Sequence, residues 1–294
     1  MAELYVDQAA GLRRLFTHKP LRIVTFVSGS SGVGKSTLVA NLAASLGQRG
    51  KTVLIFDENT KKTVSSHFGV TSQNDLFQIV NGERDLADVL VPVSPGVKVL
   101  PAAEAMKKLG ALSQRQQRIL MESLLTLEGT VDVILVDASR DYPLGFSPLG
   151  LVAHSTVVVM TTTAASITDA YALIKNVSLG HSCREYRVVV NGARSPKEAR
   201  SIFRNVSQVA HSRGVARLDF CGGIPLDEHF QQAANLGQPV GALFPQTMAA
   251  NVCQKLAEKL LNWNLPENKS DGLEDFIQQL LYLSRYNAPV ALPA

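Results

Sequence analysis

Residues 29–37 read Gly-Ser-Ser-Gly-Val-Gly-Lys-Ser-Thr, and this segment indicates the class of fold most directly. It satisfies the P-loop pattern G-x-x-x-x-G-K-[ST], in which glycines turn backbone N–H groups toward a phosphate and the lysine adds a positive charge. The apolar run 23–27 precedes it and the apolar helical pattern 38–46 follows it, as a strand–loop–helix unit requires. We therefore predict that Lys35 contacts the outer phosphates of ATP and that Ser36 offers its hydroxyl to Mg²⁺. The predicted nucleotide-binding residues of the loop are Gly29, Ser30, Ser31, Gly32, Val33, Gly34, Lys35, Ser36 and Thr37.

Further apolar, β-branched runs recur along the chain, with helical patterns between them. They are residues 53–56, 97–100, 133–136, 156–160 and 186–190. Continuous apolar strands separated by helices are typical of a parallel sheet that is covered on both faces. We therefore predict one α/β domain, built on a doubly wound, mostly parallel sheet with helices on both faces.

Two of these runs end in an aspartate, namely Asp57 after residues 53–56 and Asp137 after residues 133–136. In P-loop proteins a carboxylate at the end of a neighbouring strand helps to hold Mg²⁺, which prefers hard oxygen ligands and keeps several waters. We predict that Asp137 is the Walker B ligand, and that Asp57 holds a metal-bound water and acts in catalysis with Lys35. An aspartate at a strand end also caps turns, so either residue alone has a structural alternative.

The composition indicates an ordinary globular protein of the cytoplasm. The three cysteines, Cys183, Cys221 and Cys253, are widely spaced, which favours neither a disulfide framework nor a zinc site. No signal peptide and no run of about 18 apolar residues is found, so we expect a cytoplasmic protein that reaches the inner face of the cell membrane only peripherally.

The net charge is only +4, but it is unevenly distributed. Eight basic and two acidic residues lie between Arg184 and Arg217. We favour a solvated helix face over a surface for nucleic acid or an acidic partner. Four of the basic residues fall in one predicted helix and its end: Lys197, Arg200, Arg204 and Arg213.

Several stretches together resemble the MinD/ParA family of P-loop ATPases. They are the P-loop with Asn41-Leu42-Ala43, residues 161–175, the strand end Val190-Asn191, and Gly223-Ile224-Pro225. The resemblance spans nearly the whole chain and implies the deviant Walker fold, binding of ATP with Mg²⁺, and an ATP-dependent homodimer. It also implies that Asn191 and Pro225 contact the adenine.

A further stretch, Asp7-Gln8-Ala9-Ala10-Gly11-Leu12-Arg13, resembles the D-Q-A-x-x-L-R arm of one branch of the family. This branch comprises the FlhG (FleN) regulators of flagellar number and placement, in which the arm docks on FlhF, a signal-recognition-particle-type GTPase, and stimulates GTP hydrolysis. The resemblance implies an FlhF-like partner that is contacted through Asp7, Gln8, Leu12 and Arg13. We divide the chain into an arm, 1–20, an ATPase domain, 21–265, and a linker with a C-terminal amphipathic helix, 266–294.

The sequence also departs from the family pattern. Ser30 replaces a lysine that crosses the family's dimer to touch the partner's phosphates, and Asn59 replaces a second acid that positions the attacking water. Residues 137–141 replace the family's D-x-x-A-G segment. Phosphoryl transfer depends on positioning and on neutralising charge, so we predict that ATP is bound but hydrolysed slowly or not at all. Arg140, Lys61 and Lys62 are candidates for a substitute cation.

Residues 272–286 predict a short amphipathic helix whose apolar face carries Leu273, Phe276, Ile277, Leu280 and Leu281. In the family such a helix attaches to the membrane, usually with the help of basic residues. Residues 266–294 carry two basic and four acidic residues, so we predict weak lipid binding. Packing of the helix on its own domain or on a dimer partner is an equal alternative.

Three functional interpretations remain open, and a fourth, a metabolic P-loop kinase or ligase of related fold, is the least favoured because no second substrate-binding signature is recognisable. The first is a nucleotide-dependent regulator that acts with an FlhF-like GTPase. The second is a degenerate, non-hydrolysing ATP-binding scaffold, which Ser30 and Asn59 favour. The third is a ParA-like ATPase that binds DNA non-specifically through residues 184–217, and the arm at residues 7–13 argues against this as a primary role.

Overall fold

The computed structural model of the protein describes residues 21–61, 63–142, 147–181, 183–264 and 272–286. The arm residues Asp7, Gln8, Leu12 and Arg13, and the candidate cation Lys62, lie outside the described residues. The predictions that concern them therefore remain predictions.

The described strands form one eight-stranded sheet in the order β3-β4-β2-β5-β1-β6-β7-β8. Among these described strands only the β3–β4 pair is antiparallel. The predicted doubly wound, mostly parallel sheet is thus confirmed. The strands are β1 (Arg22–Val27), β2 (Val53–Asp57), β3 (Val91–Ser94), β4 (Val97–Pro101), β5 (Val133–Asp137), β6 (Ser155–Thr161), β7 (Glu185–Ala193) and β8 (Arg217–Pro225).

Helices cover both faces of the sheet. They are α1 (Lys35–Gln48), α2 (Leu76–Val80), α3 (Leu86–Val89), α4 (Ala103–Lys108), α5 (Gln114–Leu125), α6 (Pro148–Val152), α7 (Ala164–His181), α8 (Pro196–Ser212), α9 (Glu228–Asn235), α10 (Val240–Leu243), α11 (Met248–Leu261) and α12 (Leu273–Tyr286). Two 3-10 helices, Val64–Phe68 and Leu109–Ala111, lie among them.

The core has two layers because successive strand residues point to opposite faces of the sheet. In β1, for example, Ile23 joins one apolar cluster and Val24 joins the other. One cluster contains α1 and α11, and the other contains α5, α6, α7, α8 and α12. The central strands β2 and β5 are buried at every position, which explains their continuous apolar sequences.

The C-terminal helix α12 packs on the chain's own domain, which is one of the two alternatives to membrane attachment considered above. Its apolar residues Phe276, Ile277 and Leu280 are buried, and the helix contacts α5, α6 and the 3-10 helix Leu109–Ala111. In this conformation the face that would enter a membrane is covered by protein. Within the described ranges, no helix is long and apolar enough to cross a membrane.

The basic segment lies on the surface, as predicted for a solvated helix face. Helix α8 places Lys197, Arg200 and Arg204 in exposed positions, and Arg213 follows its end. Arg217, on the edge strand β8, lies 3.9 Å from Glu185 and 3.8 Å from Asp219, which moderates the local positive charge.

Candidate nucleotide site

The strand order brings the P-loop and both predicted metal carboxylates to one edge of the sheet. Asp137 is the register partner of Phe26 near the end of β1 and of Asp57 at the end of β2. The loop leaves β1 at this edge, and α1 begins at Lys35. In open α/β sheets ligands bind outside the carboxyl ends of the strands, and the N-terminus of a helix attracts anions. The sheet therefore brings together the residues of the predicted phosphate site from segments that are far apart in sequence.

A cavity of about 570 Å³ opens at this edge, which is a size typical of small-molecule sites. The P-loop and the segments that follow β2 and β5 line it together. The lining residues are Ser28, Ser30, Ser31, Gly32, Val33, Gly34, Lys35, Ser36, Thr37, Asn59, Thr60, Lys61, His67, Ala138, Ser139, Arg140 and Asp141.

Two positions of the loop require glycine for different structural reasons. Gly34 has a φ of 84°, in the left-handed region, and a Cβ there would lie 2.3 Å from the Asn191 amide nitrogen. Gly29 instead meets helix α7, because a Cβ at Gly29 would lie 2.2 Å from the backbone carbon of Asp169. Gly29 is therefore needed for the close approach of α7, and the sequence pattern alone did not indicate this role.

Asn191 supports the P-loop in this structure. Its Nδ2 donates to the backbone oxygen of Val33 at 2.7 Å, and its Oδ1 accepts from the Gly192 N–H. Neither Asn191 nor Pro225 is among the described residues that line the phosphate cavity. The predicted adenine contacts of these two residues remain a prediction.

Asp137 is the polar centre of the site. It is fully buried and accepts hydrogen bonds from the Lys35 ammonium, from Ser36 Oγ at 2.6 Å, and from the Asn59 amide at 2.8 Å. Lys35 is also buried, so its charge is held against Asp137. The two P-loop residues that are predicted to contact phosphate and metal are therefore already paired within the chain.

Asp57 faces the same cluster from β2. Its Oδ2 accepts from the Val64 N–H at 2.6 Å, and its Oδ1 accepts from Asn59. Burial and the nearby charge of Asp137 raise the pKa of Asp57, and the hydrogen bonds offset part of this effect. Two carboxylates and the Ser36 hydroxyl are hard oxygen donors of the kind Mg²⁺ takes, so the residues fit the predicted ion. Among the described residues no group of three or more His, Cys, Asp or Glu side chains is placed so that it could hold a metal ion.

Glu58 is a functional candidate that sequence reasoning missed. It is only 1% exposed, accepts from the Ser139 N–H at 2.9 Å and from the Ser147 hydroxyl at 2.5 Å, and so joins the segments after β2 and β5. Burial raises the pKa of Glu58 to about 7. Ser147 caps α6, which contacts α12. Glu58 directly follows Asp57 at the end of β2, and no local pattern set it apart from an ordinary loop acid.

We call Lys35, Ser36, Asp57, Asn59 and Asp137 the floor of the cavity, and Ser30, Lys61 and Arg140 its mouth. The polar groups of the mouth have fewer hydrogen-bond and salt-bridge partners among the described residues than those of the floor. The Ser30 hydroxyl is buried, yet it has no hydrogen-bond partner within the described residues. Lys61 and Arg140 are exposed, and neither forms a salt bridge in the described part of the chain. Both candidate substitute cations that the structure describes therefore lie at the phosphate cavity. His67 also lines it, and burial lowers the pKa of this side chain.

Comparisons with known proteins agree with the resemblance seen in the sequence. Residues 24–240 match the CobQ/CobB/MinD/ParA nucleotide binding domain. The antiactivator FleN of Pseudomonas aeruginosa is 30% identical over 92% of this chain and 97% of its own length. The flagellum site-determining protein YlxH of Helicobacter pylori is 26% identical over 88% of this chain and 90% of its own length. Among solved structures, MinD of Pyrococcus horikoshii complexed with Mg-ADP has a TM-score of 0.58 at 24% identity and covers 81% of this chain and 95% of its own.

Proposed function

Because the chain belongs to the MinD/ParA nucleotide-binding family, and within it to the FleN/FlhG group, we propose that it is an ATP-binding regulator of flagellar number and placement. The observation that carries the proposal is the match to an antiactivator FleN over almost the whole chain. The match to a flagellum site-determining protein supports it.

The chemistry proposed for the site is binding of ATP with Mg²⁺. Lys35 and the N-terminus of α1 supply positive charge for the phosphates, and Ser36, Asp57 and Asp137 supply oxygen ligands for the ion. The Mg-ADP complex of the Pyrococcus protein supports this choice of ligands. Phosphates that take Lys35 away from Asp137 must rearrange the floor of the cavity. This exchange would let the nucleotide state alter the segments after β2 and β5.

The proposed partner is an FlhF-like GTPase that binds the N-terminal arm. The support is the sequence of residues 7–13. An amide at Gln8 can orient the attacking water of a GTPase without itself titrating, and Leu12 can supply an apolar contact.

A GTPase assay with a peptide of residues 1–20 tests this partner. We expect the peptide to accelerate GTP hydrolysis by the FlhF-like protein of the same organism. Gln8→Ala should bind but stimulate less, whereas Leu12→Ala should bind more weakly. No stimulation at saturating peptide would refute the assignment of the partner and would leave the nucleotide site untouched.

A second candidate function is an ATP-binding scaffold without turnover. It is favoured by the Asn59 side chain, which replaces a carboxylate of the family with an amide that is bound to both Asp57 and Asp137. Phosphate release in the presence of Mg²⁺ distinguishes the two functions. Turnover that is lost in Lys35→Ala would exclude the scaffold.

We propose only weak association with membranes, because α12 buries its apolar face on the domain. Sedimentation with anionic vesicles should recover little protein in the absence of ATP. Strong pelleting without nucleotide, lost on truncation at Pro266, would contradict this.

A further inference from the structure

The side-chain amide of Asn59 lies between the two carboxylates of the metal site. Its Nδ2 is 3.0 Å from Asp57 Oδ1 and 2.8 Å from Asp137 Oδ2. The same nitrogen is 3.0 Å from the backbone oxygen of Asp137. One side chain therefore joins the ends of β2 and β5 through the atoms expected to face the cation.

The chemistry of the neighbours fixes which end of the amide points inward. All three atoms within hydrogen-bond distance of Nδ2 are oxygens that can only accept when the carboxylates are ionised. The opposite orientation would place the Asn59 carbonyl oxygen against these acceptors. The amide nitrogen, with its two donor hydrogens, is therefore the group that fits.

The amide does part of what a cation would do at this position. Asp57 and Asp137 are register partners on adjacent strands and are both buried, so their ionised forms repel each other. Donor hydrogens between them reduce this repulsion in the free chain. An acid at residue 59, as in the family pattern, would increase it. We propose that the Asn59 amide and a divalent cation compete for the same oxygens of Asp57 and Asp137, so that the nucleotide-free chain holds its metal site closed and Asn59 withdraws when the metal binds.

The surrounding contacts confine this movement to a short segment. On one side, Glu58 is held by the Ser139 N–H and the Ser147 hydroxyl. On the other side, the Val64 N–H is held by Asp57 Oδ2. Residues 59–61 lie between these anchors and line the cavity, so withdrawal of Asn59 would reposition them. The proposal rests on the proposed function only in taking this cation to be the one that accompanies the nucleotide.

Metal binding without nucleotide tests the competition. The binding of Mn²⁺ to the full chain is measured by electron paramagnetic resonance for the wild type, Asn59→Ala and Asn59→Asp. Asn251→Asp, on the exposed face of α11, is the matched control for the added charge. We expect both Asn59 variants to bind Mn²⁺ at least about fivefold more tightly than the wild type, and the control to bind as the wild type does.

Thermal unfolding provides a second measurement on the same proteins. In EDTA, Asn59→Asp should melt below the wild type because three carboxylates then crowd one buried site, and Mn²⁺ should raise its Tm more than that of the wild type. Equal Mn²⁺ affinities for the wild type and both variants would overturn the proposal. Weaker binding by Asn59→Ala would also overturn it, because Asn59 would then be a ligand.

Should the variants fail to fold, the wild type alone still decides the matter. The Asn59 side-chain resonances in a nitrogen–proton NMR spectrum should shift when Mg²⁺ and ADP are added in the absence of Mn²⁺. They should stay unchanged when ADP is added with EDTA. Resonances that do not respond to Mg²⁺ plus ADP, in a sample shown by calorimetry to bind ADP, would refute the withdrawal. The Mn²⁺ measurements contain no nucleotide and test only the competition with Asn59. A failure of the protein to bind nucleotide is detected separately by calorimetry.

Discussion

The floor and the mouth of the phosphate cavity differ in how their polar groups are satisfied. On the floor, Lys35, Ser36 and Asn59 all donate to Asp137, and each is paired before any ligand arrives. At the mouth, the Ser30 hydroxyl lacks a partner within the described residues, and Arg140 is exposed. Ligand binding must therefore exchange bonds on the floor, whereas it can add bonds at the mouth.

The floor and the mouth also differ in how closely their residues follow the family pattern. The floor keeps the P-loop lysine, the serine and both strand-end aspartates. The two changed residues are Ser30 at the mouth and Asn59 on the floor. An acid at residue 59 would repel Asp57 and Asp137, whereas the Asn59 amide donates hydrogen bonds to them. We therefore expect the floor to bind the nucleotide, and we expect any loss of turnover to originate at the changed residues.

The strongest test of the floor is Lys35→Ala. The change removes the charge for the phosphates and leaves Asp137 buried without its counterion, so we expect ATP affinity to fall by more than about 100-fold. Calorimetry measures this loss, with Lys98→Ala, on the exposed side of β4, as the control. Equal binding by the wild type and Lys35→Ala would mean that the phosphate site has been assigned to the wrong residues.

The buried carboxyl of Glu58 predicts a pH dependence of the floor. Folding raises the Glu58 pKa from 4.5 to about 7, so the folded chain holds a proton that the unfolded chain releases in this window. The Glu58 contribution is thus present below pH 4.5 and is lost as the pH rises through 7. The loss is about 3 kcal/mol by linkage.

Glu58→Gln mimics the neutral acid and should remove this dependence. Urea unfolding of the nucleotide-free protein between pH 5 and pH 8 compares the two proteins, with Glu122→Gln, exposed on α5, as the control. Parallel stability curves for the wild type and Glu58→Gln would show that Glu58 is ionised throughout.

The central strands and the P-loop could be predicted because their signals are local. Strands β2 and β5 are buried on both faces, and their apolar runs therefore stand out. Strands β3 and β8 were not predicted. They form the two edges of the sheet, β3 has four residues including Pro92, and only three of the nine residues of β8 are buried.

The pairing on the floor could not be read from the sequence, because it depends on the register of two distant strands. Asn59 reaches Asp137 only because Asp57 and Asp137 are aligned at adjacent strand ends. The pattern showed that an acid was missing at residue 59, but not what the amide does there. Likewise, nothing local distinguished Glu58, a fully buried acid, from an ordinary loop residue.

Restoring both departures together should increase turnover. Ser30→Lys supplies the family's cation at the mouth, and Asn59→Asp supplies its second acid, so we expect the double variant to hydrolyse ATP at least about tenfold faster than the wild type. Phosphate release measures the rate, with each single variant as a component control. Brisk wild-type turnover that Lys35→Ala abolishes would contradict the expectation and would direct attention to Arg140.

The smallest expected effect belongs to the hydroxyl of Ser30. If a nucleotide phosphate is the partner that this buried group lacks, Ser30→Ala removes one hydrogen bond from the complex and none to any described residue of the free chain. A net hydrogen bond contributes about 1 kcal/mol, so ATP affinity should fall about fivefold while the Tm of the free protein stays unchanged. Ser31→Ala is the matched control, because Ser31 lines the same cavity in an exposed position and should change affinity less. The opposite result would be a lower Tm of the free protein with unaltered ATP affinity. It would show that the hydroxyl stabilises the loop itself, and that the polar groups of the mouth are paired within the chain as those of the floor are.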